Sequence, residues 1–180
     1  MNQYNHAGMN YFEQESERLQ YRKLTEADIP RWMNFFVDND NLAYLGLDLS
    51  KSNEVLAVEW ISKQFERYRT QNLGHLAVEL KETGAFIGMG GILPQVIDGK
   101  PEYEIGYSLL PNYWGKGYGT EIAQQLKRFG WEHIETQRFV SIIDIRNQRS
   151  INVALKNGMT PLFRTQYASL TVDVYGVEKG

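Results

Sequence analysis

The tightest constraint on this chain is the run EYEIGYSLLPNYWGKGYGTEIAQQL at residues 102–126, where an alternating, strand-like segment passes through three glycines straight into a helix. Gly115, Gly117 and Gly119 free the backbone of Cβ obstruction where that helix starts, so several N–H groups and the positive end of the helix dipole converge on one point. Such a point suits a pyrophosphate, and it suits a tight turn with no ligand equally well; a GxGxG pattern alone does not decide. A β-rich run follows at 138–144, and strand, turn, helix and strand in that order imply a right-handed parallel crossover.

The rest of the chain must complete the sheet around that unit. Leu19, Tyr21 and Leu24 alternate with polar neighbours as a first strand, and Thr25-Glu26-Ala27-Asp28 is a helix-start signal. Ile29, Trp32, Met33 and Phe36 recur at helical spacing, with Pro30 tolerable in the first turn. A second helix follows the polar stretch 48–53 on the stripe Val55, Val58, Ile61 or Ser62, Phe65 and Tyr68, and residues 72–74 stop it. Residues 75–80 and 85–92 form a hairpin around Lys81-Glu82-Thr83-Gly84, and a third run, 102–110, follows a turn at Asp98-Gly99. After the glycine turn come a helix from 120 to about 134, the strand 138–144, and a short helix from about 148 to 157 capped by Asn147 and ended by Gly158. The alternating tail from 162 to 177 is a final antiparallel pair. This order predicts an α+β fold: one domain with a mixed, mostly antiparallel central sheet flanked by helices. Residues 1–16 are polar and without period, so they are expected to be a flexible N-terminal arm, leaving 17–180 as the domain.

Charge and composition remove several partners. With 19 Lys and Arg against 22 Asp and Glu there is no basic excess to track a nucleic-acid backbone, and none is expected as partner. The absence of cysteine removes disulfides, thiol nucleophiles and thiolate metal ligands, and His6, His75 and His133 have no ligand-like spacing, so no metal site is expected. The first residues lack a basic head and an apolar run, and no later stretch has membrane-spanning length. No membrane association and a cytoplasmic location are the expectations.

Neither common nucleotide motif fits the glycine turn. No GxxxxGK[ST] string occurs, and the turn follows an antiparallel hairpin rather than the first strand of a βαβ unit, which leaves coenzyme A. Residues 102–126 resemble the strand-turn-helix core of the GNAT superfamily of N-acetyltransferases, whose turn is written [RQ]xxGx[GA]. Trp114 stands at the first position here, with Gly117 and Gly119 at the others. YWGKGYGTE more closely resembles the branch related to the ribosomal-protein N-terminal alanine acetyltransferases, and IRNQRSINVALKNGM at 145–159 is similar to that family's NxxSxxxxxKxGM helix. The resemblance extends over most of residues 18–177 and is least specific before 75 and after 160.

The resemblance implies a splay between the fourth and fifth strands, 102–110 and 138–144, with acetyl-CoA in the notch as co-substrate. It gives the pyrophosphate to the amides of Gly115, Lys116, Gly117, Tyr118, Gly119 and Thr120, and the thioester carbonyl to N–H groups near Leu109 and Leu110. Asn147 would contact the pantetheine arm, and it is equally placed to be a helix N-cap. Among Lys116, Arg149 and Lys156, Lys116 is the cation expected at the CoA phosphates. Glu104 matches the strand glutamate used as base by several family members. Alternation sets it with Glu102, Gly106 and Ser108 on one face, against Tyr103, Ile105, Tyr107 and Leu109 on the other; a solvated sheet-face glutamate is the alternative. Seven residues beyond Asn147, where many members carry a tyrosine for the leaving thiolate, this chain has Ala154. Ser150 is the substitute, with backbone capping as its other reading, and Tyr107 is a further hydroxyl or a core residue. Trp32, Phe35, Phe36, Tyr44 and Trp60 lie in the segment that walls the acceptor pocket in this family. The implied activity is acetyl transfer from acetyl-CoA to a primary amine, on a peptide N-terminus or a small molecule. A domain that holds an acyl-CoA as sensor or scaffold without turnover stays open, as does a homodimer.

Overall fold

Eight strands and four helices occupy residues 10–180, the part of the chain that the computed structural model describes. They run β1 Gln14–Glu15, β2 Leu19–Lys23, α1 Asp28–Met33, α2 Asn53–Gln71, β3 Gly74–Leu80, β4 Phe86–Ile97, β5 Lys100–Leu109, α3 Tyr118–His133, β6 Arg138–Asp144, α4 Gln148–Lys156, β7 Thr160–Tyr167 and β8 Leu170–Glu178. All the strands lie in one sheet in the order β1-β2-β3-β4-β5-β6-β8-β7, antiparallel except for β5 and β6. This is the expected α+β layout. The splayed strands are the fifth and sixth rather than the fourth and fifth, because the two-residue β1 precedes the first strand legible in the sequence.

Local chemistry sets the boundaries. Asp98 and Gly99 both take left-handed φ, 48° and 77°, which gives the two-residue turn whose twist matches the β4–β5 hairpin. α2 begins where the Ser52 side chain accepts the Val55 N–H, and ends at Asn72 in the left-handed region. Its buried stripe is Leu56, Ala57, Ile61, Gln64, Arg67 and Tyr68, whereas Val55 and Val58 are 42% and 39% exposed. The predicted stripe is thus rotated by part of a turn. A helical period admits neighbouring registers, and the two valines draw the pattern away from a face that buries Gln64 and Arg67.

The sheet carries a core on each face, and β5 divides them by strict alternation. Tyr103, Ile105, Tyr107 and Leu109 join Ile122, Leu126 and Phe129 under α3, while Trp32, Phe35, Phe36, Leu56 and Ile61 pack with Ala77 and Met89 under α1 and α2. Trp32 stacks on Phe35 at 4.3 Å and meets Trp60 edge-on at 5.2 Å, so the aromatic run in and just after α1 is mainly core.

The expected flexible arm needs correction over residues 10–16. Tyr11 is fully buried; its hydroxyl donates to Gly74 O at 2.5 Å and accepts the Ile92 N–H at 2.8 Å. Gln14 is buried too, and β1 pairs with β2. The cause is the end of the β3–β4 ladder at Gly74↔Ile92, where buried backbone groups need a partner and one phenol serves both. The remainder of the predicted arm, residues 1–9, lies outside the described residues. Among the described residues no helix is long and apolar enough to cross a membrane.

β5 and β6 register with each other only at Glu104↔Val140. Ser141 Oγ donates to Ile105 O at 2.8 Å just beyond that point, and the strands then part toward their C-terminal ends.

Candidate active site

The parting of β5 and β6 opens a cavity of about 670 Å³ that runs through the sheet. Asn147, Ser150, Ala154 and Asn157 line it on the α4 side; Trp60, Lys63, Arg67, His75 and Tyr167 line it on the other; Glu104 to Ser108 form the wall between.

The glycine turn stands just outside, behind Tyr107. Gly115 and Gly117 have φ of 74° and 81°, and Gly117 is the residue from which α3 starts. Glycine is required at both, since a side chain strains such a backbone. Gly119 is close-packed: a Cβ there would lie 3.0 Å from the Tyr107 ring, which would have to give by a few tenths of an ångström. The amides of Tyr118, Gly119 and Thr120 open the helix and have no carbonyl one turn earlier to bond. Lys116 is exposed, with its ammonium 5.7 Å from the Tyr113 ring.

A brace from the β1–β2 connection holds this turn, and sequence reasoning missed it. Arg18 Nη1 donates to Lys116 O at 2.9 Å, Arg18 Nε to Glu121 Oε2 at 2.7 Å, and its guanidinium lies 4.4 Å over the Tyr118 ring. Glu121, in the first turn of α3, also accepts from Arg18 N and Ser16 Oγ, each at 2.7 Å. Partial burial pushes its carboxyl up, but these hydrogen bonds and the Arg18 charge outweigh that and hold it below the usual range. Trp114, at the first position of the motif, donates its indole N–H to Leu109 O at 2.9 Å and carries the Arg149 guanidinium 4.3 Å above its ring, tying α4 to the turn.

Of the two strand-end amides expected at the thioester, Leu110 N already donates to Ile87 O at 2.9 Å. It is engaged in the sheet because β4 continues alongside β5 at that position. Strand alternation turns the Leu109 N–H to the opposite edge, where β6 has departed and the notch opens.

Glu104 sits at the narrow end of the splay. Its Oε1 accepts Gln95 Nε2 at 3.2 Å and its Oε2 accepts the Ile142 N–H at 3.3 Å, so the carboxylate spans from the neighbouring strand to the parting one. Burial raises its pKa, and the pull of Gln95, Ile142, Arg67 and Lys63 in the other direction does not cancel this. A solvated sheet-face glutamate has no such surroundings.

Across the cavity, His75 is buried on β3 and accepts the Trp60 indole N–H on Nδ1 at 3.2 Å. The neutral ring therefore carries its proton on Nε2, the atom that would lie 3.5 Å from a Cβ at Gly106. Burial, then the charges of Arg67 and Lys63, push its pKa down to about 3, which makes His75 a neutral donor and no base near neutral pH. Gln64 locks the arrangement: its Oε1 accepts His75 N at 2.9 Å and Arg67 Nη1 at 3.2 Å, and its Nε2 donates to Trp60 O at 3.1 Å. Tyr44 reaches the rim, where Arg146 lies 5.0 Å over its ring and donates to Ala43 O.

On α4, the Asn147 side chain accepts Ser150 N at 3.3 Å, as an N-cap does, and also lines the cavity. Ser150 meets the Tyr107 hydroxyl, whose pKa burial pushes up to about 12 while Ser150 pulls it back. Ala154 is buried and contributes only a methyl group. The fold thus brings Glu104, Asn147, Ser150 and Tyr107 to one cavity, and sets Gly115 to Thr120 beyond the Tyr107 ring.

Comparison with known proteins agrees with this geometry. Residues 18–160 match the family model described as an acetyltransferase (GNAT) domain. The chain is 34% identical over 101 residues to YkkB of Bacillus subtilis (strain 168), an uncharacterised protein; the alignment spans 56% of this chain and 59% of that relative, under two thirds of its length. An acetyltransferase from Agrobacterium tumefaciens str. C58 superposes with a TM-score of 0.76 at 26% identity, over 93% of this chain and 94% of that one. RimL, a ribosomal L7/L12 alpha-N-protein acetyltransferase solved with coenzyme A, shares the fold with a TM-score of 0.70 at 20% identity, over 91% and 95% of the two chains.

Proposed function

We propose, for a chain that belongs to the acetyltransferase (GNAT) family, that it transfers the acetyl group of acetyl-CoA to a primary amine with Glu104 as the general base. The observation that carries this reading is the Glu104 carboxylate, bonded to Gln95 and the Ile142 N–H where β5 and β6 part and raised in pKa there, with the glycine turn behind it and an open cavity before it.

The residues present fit acetyl-CoA. Gly115 and Gly117 turn the chain into the start of α3, where the amides from Gly115 to Thr120 would take the pyrophosphate, Lys116 and Arg149 would meet phosphate charge, and Asn147 opens α4 at the notch. RimL, which shares the fold, was solved with coenzyme A.

The chemistry follows from placement. A lysine-type amine titrates near ~10.4 and an α-amine near ~8, so the acceptor must lose a proton before it attacks. Glu104, directly or through one water, takes that proton, and the freed amine then bonds to the thioester carbon. The Leu109 N–H meets the developing oxyanion. When the C–S bond breaks, the Tyr107 and Ser150 hydroxyls donate hydrogen bonds to the departing thiolate, and the second proton, which the acetylated nitrogen sheds, ends on that sulfur; the methyl of Ala154 can donate no hydrogen bond to it.

That buried methyl at Ala154 also favours a second reading, a domain that holds an acyl-CoA without turnover. Thiol release from acetyl-CoA in the presence of a panel of amines separates the two. Amine-dependent release that falls by roughly a hundred- to ten-thousand-fold in Glu104→Gln supports catalysis by this base. Tight acetyl-CoA binding with no release for any amine supports the holding domain, and an undiminished rate in Glu104→Gln removes Glu104 from the mechanism.

A further inference from the structure

We infer that the acceptor amine carries an anionic group close to its nitrogen, a carboxylate as in a free amino acid, and that Arg67 and Lys63 hold it. The inference rests on the acetyl-transfer reading and names the substrate class of that same cavity.

One turn apart on α2, Lys63 and Arg67 face the cavity from the same wall. Arg67 is only 9% exposed, and its guanidinium makes one hydrogen bond among the described residues, to the neutral Gln64 Oε1 at 3.2 Å. Neither it nor Lys63 forms an ion pair there. Of the carboxylates on the cavity wall, Glu59 pairs with Lys51 at 2.9 Å, and Glu104 attracts both cations at longer range without an ion pair to either.

Two like charges at helical neighbour positions repel, and a buried guanidinium with most of its five donors idle is costly. A fold retains such an arrangement where an anion completes it. The glycine turn, which suits the pyrophosphate of the acetyl donor, stands with α3 on the other side of β5 from Lys63 and Arg67, so these two cations are left for a different anion.

The charge pattern also orients the guest. A zwitterion finds Glu104 for its ammonium and Arg67 with Lys63 for its carboxylate, with the His75 Nε2–H on the wall beside them. A polyamine would meet two cations for one carboxylate. Leu47, Leu93 and Leu170 on the lining give an apolar side chain somewhere to lie.

The test is a titration of ¹⁵N-labelled protein, with and without CoA, following the Trp60 indole N–H, which is bonded to His75. The probes are L-leucine, L-leucinamide and O-phosphoethanolamine. Saturable shifts with L-leucine at roughly tenfold or greater preference over L-leucinamide are expected, falling toward parity in Lys63→Gln. Lys63 is exposed at the rim, so that variant stays informative where Arg67→Gln fails to fold. Preference for O-phosphoethanolamine over both supports the anion site and names phosphate as the group it takes. L-leucinamide binding as well as either anionic amine, or no saturable shift from either, overturns the inference. CoA binding is read in the parallel arm, so loss of the acetyl-transfer reading shows there and leaves the ligand titration of the CoA-free protein to stand by itself.

Discussion

On the α3 side of β5 the notch is walled by backbone: Gly115 and Gly117 at positive φ, the first amides of the helix, and Gly119 bare against Tyr107. On the α2 side it is walled by side chains, with Trp60, Arg67 and His75 cross-linked through Gln64 and Lys63 beside them. Backbone amides recognise a phosphate in any sequence that can make the turn. Side chains recognise one particular partner, and they are free to differ between proteins with the same fold. On the proposed reading, the backbone wall takes the acetyl donor, a task any chain with this turn can perform, and the side-chain wall selects the acceptor.

Glu104 stands on the boundary, and Glu104→Gln is the sharpest way to separate the halves. Turnover should fall by roughly a hundred- to ten-thousand-fold while acetyl-CoA affinity holds. Wild-type kcat/KM should rise with pH through the raised pKa of this carboxyl, and the variant should lose that limb. Stability moves the other way. A carboxyl whose native pKa lies above its unfolded value stabilises the fold below the unfolded pKa and loses that contribution as pH rises, so Glu104→Gln should hold or raise Tm at neutral pH.

His75 tests the acceptor wall by acid. Its native pKa near 3 lies below the unfolded value, so its contribution is present above about pH 6.5 and is lost as pH falls toward 3, at about 1.4 kcal/mol per pH unit. Thermal melts between pH 6.5 and 4.5 should show this limb in the wild type and a flatter one in His75→Gln. Equal slopes would mean that the ring is not held neutral by its burial.

Smaller effects belong to the donor wall. Gly119→Ala puts a methyl 3.0 Å from the Tyr107 ring and should raise KM for acetyl-CoA several-fold with the amine KM unmoved. Arg18→Met removes the brace from Lys116 O and Glu121. With Arg18 partly exposed, it should weaken acetyl-CoA binding by about 1 kcal/mol or less, read by titration. A matching change in amine KM from either variant would show that the two walls are not independent.

The same contrast explains what was legible in the sequence. The glycine turn, the strand 138–144, the Asn147 cap and the face alternation of β5 are written in neighbouring residues, and all appear where expected. Tyr11 closing the end of the β3–β4 ladder, Arg18 reaching Glu121, and Trp60 donating to His75 each depend on a partner from another element, for which a local pattern has no signal. Val55 and Val58 show the opposite failure: a regular apolar pattern lies beside the true stripe, because the buried face of α2 is partly polar where it serves the cavity. Leu110 lost its expected role for a reason of register alone, since its N–H points to β4.

The most direct measurement is calorimetric titration of acetyl-CoA into the wild-type protein and into a Gly117→Glu, Gly119→Glu double variant whose folding is verified by circular dichroism. Binding in the micromolar range that disappears in the folded variant is the predicted result. A folded wild type that does not bind acetyl-CoA, or a variant that binds it equally well, would contradict the assignment of the glycine turn as the donor cradle.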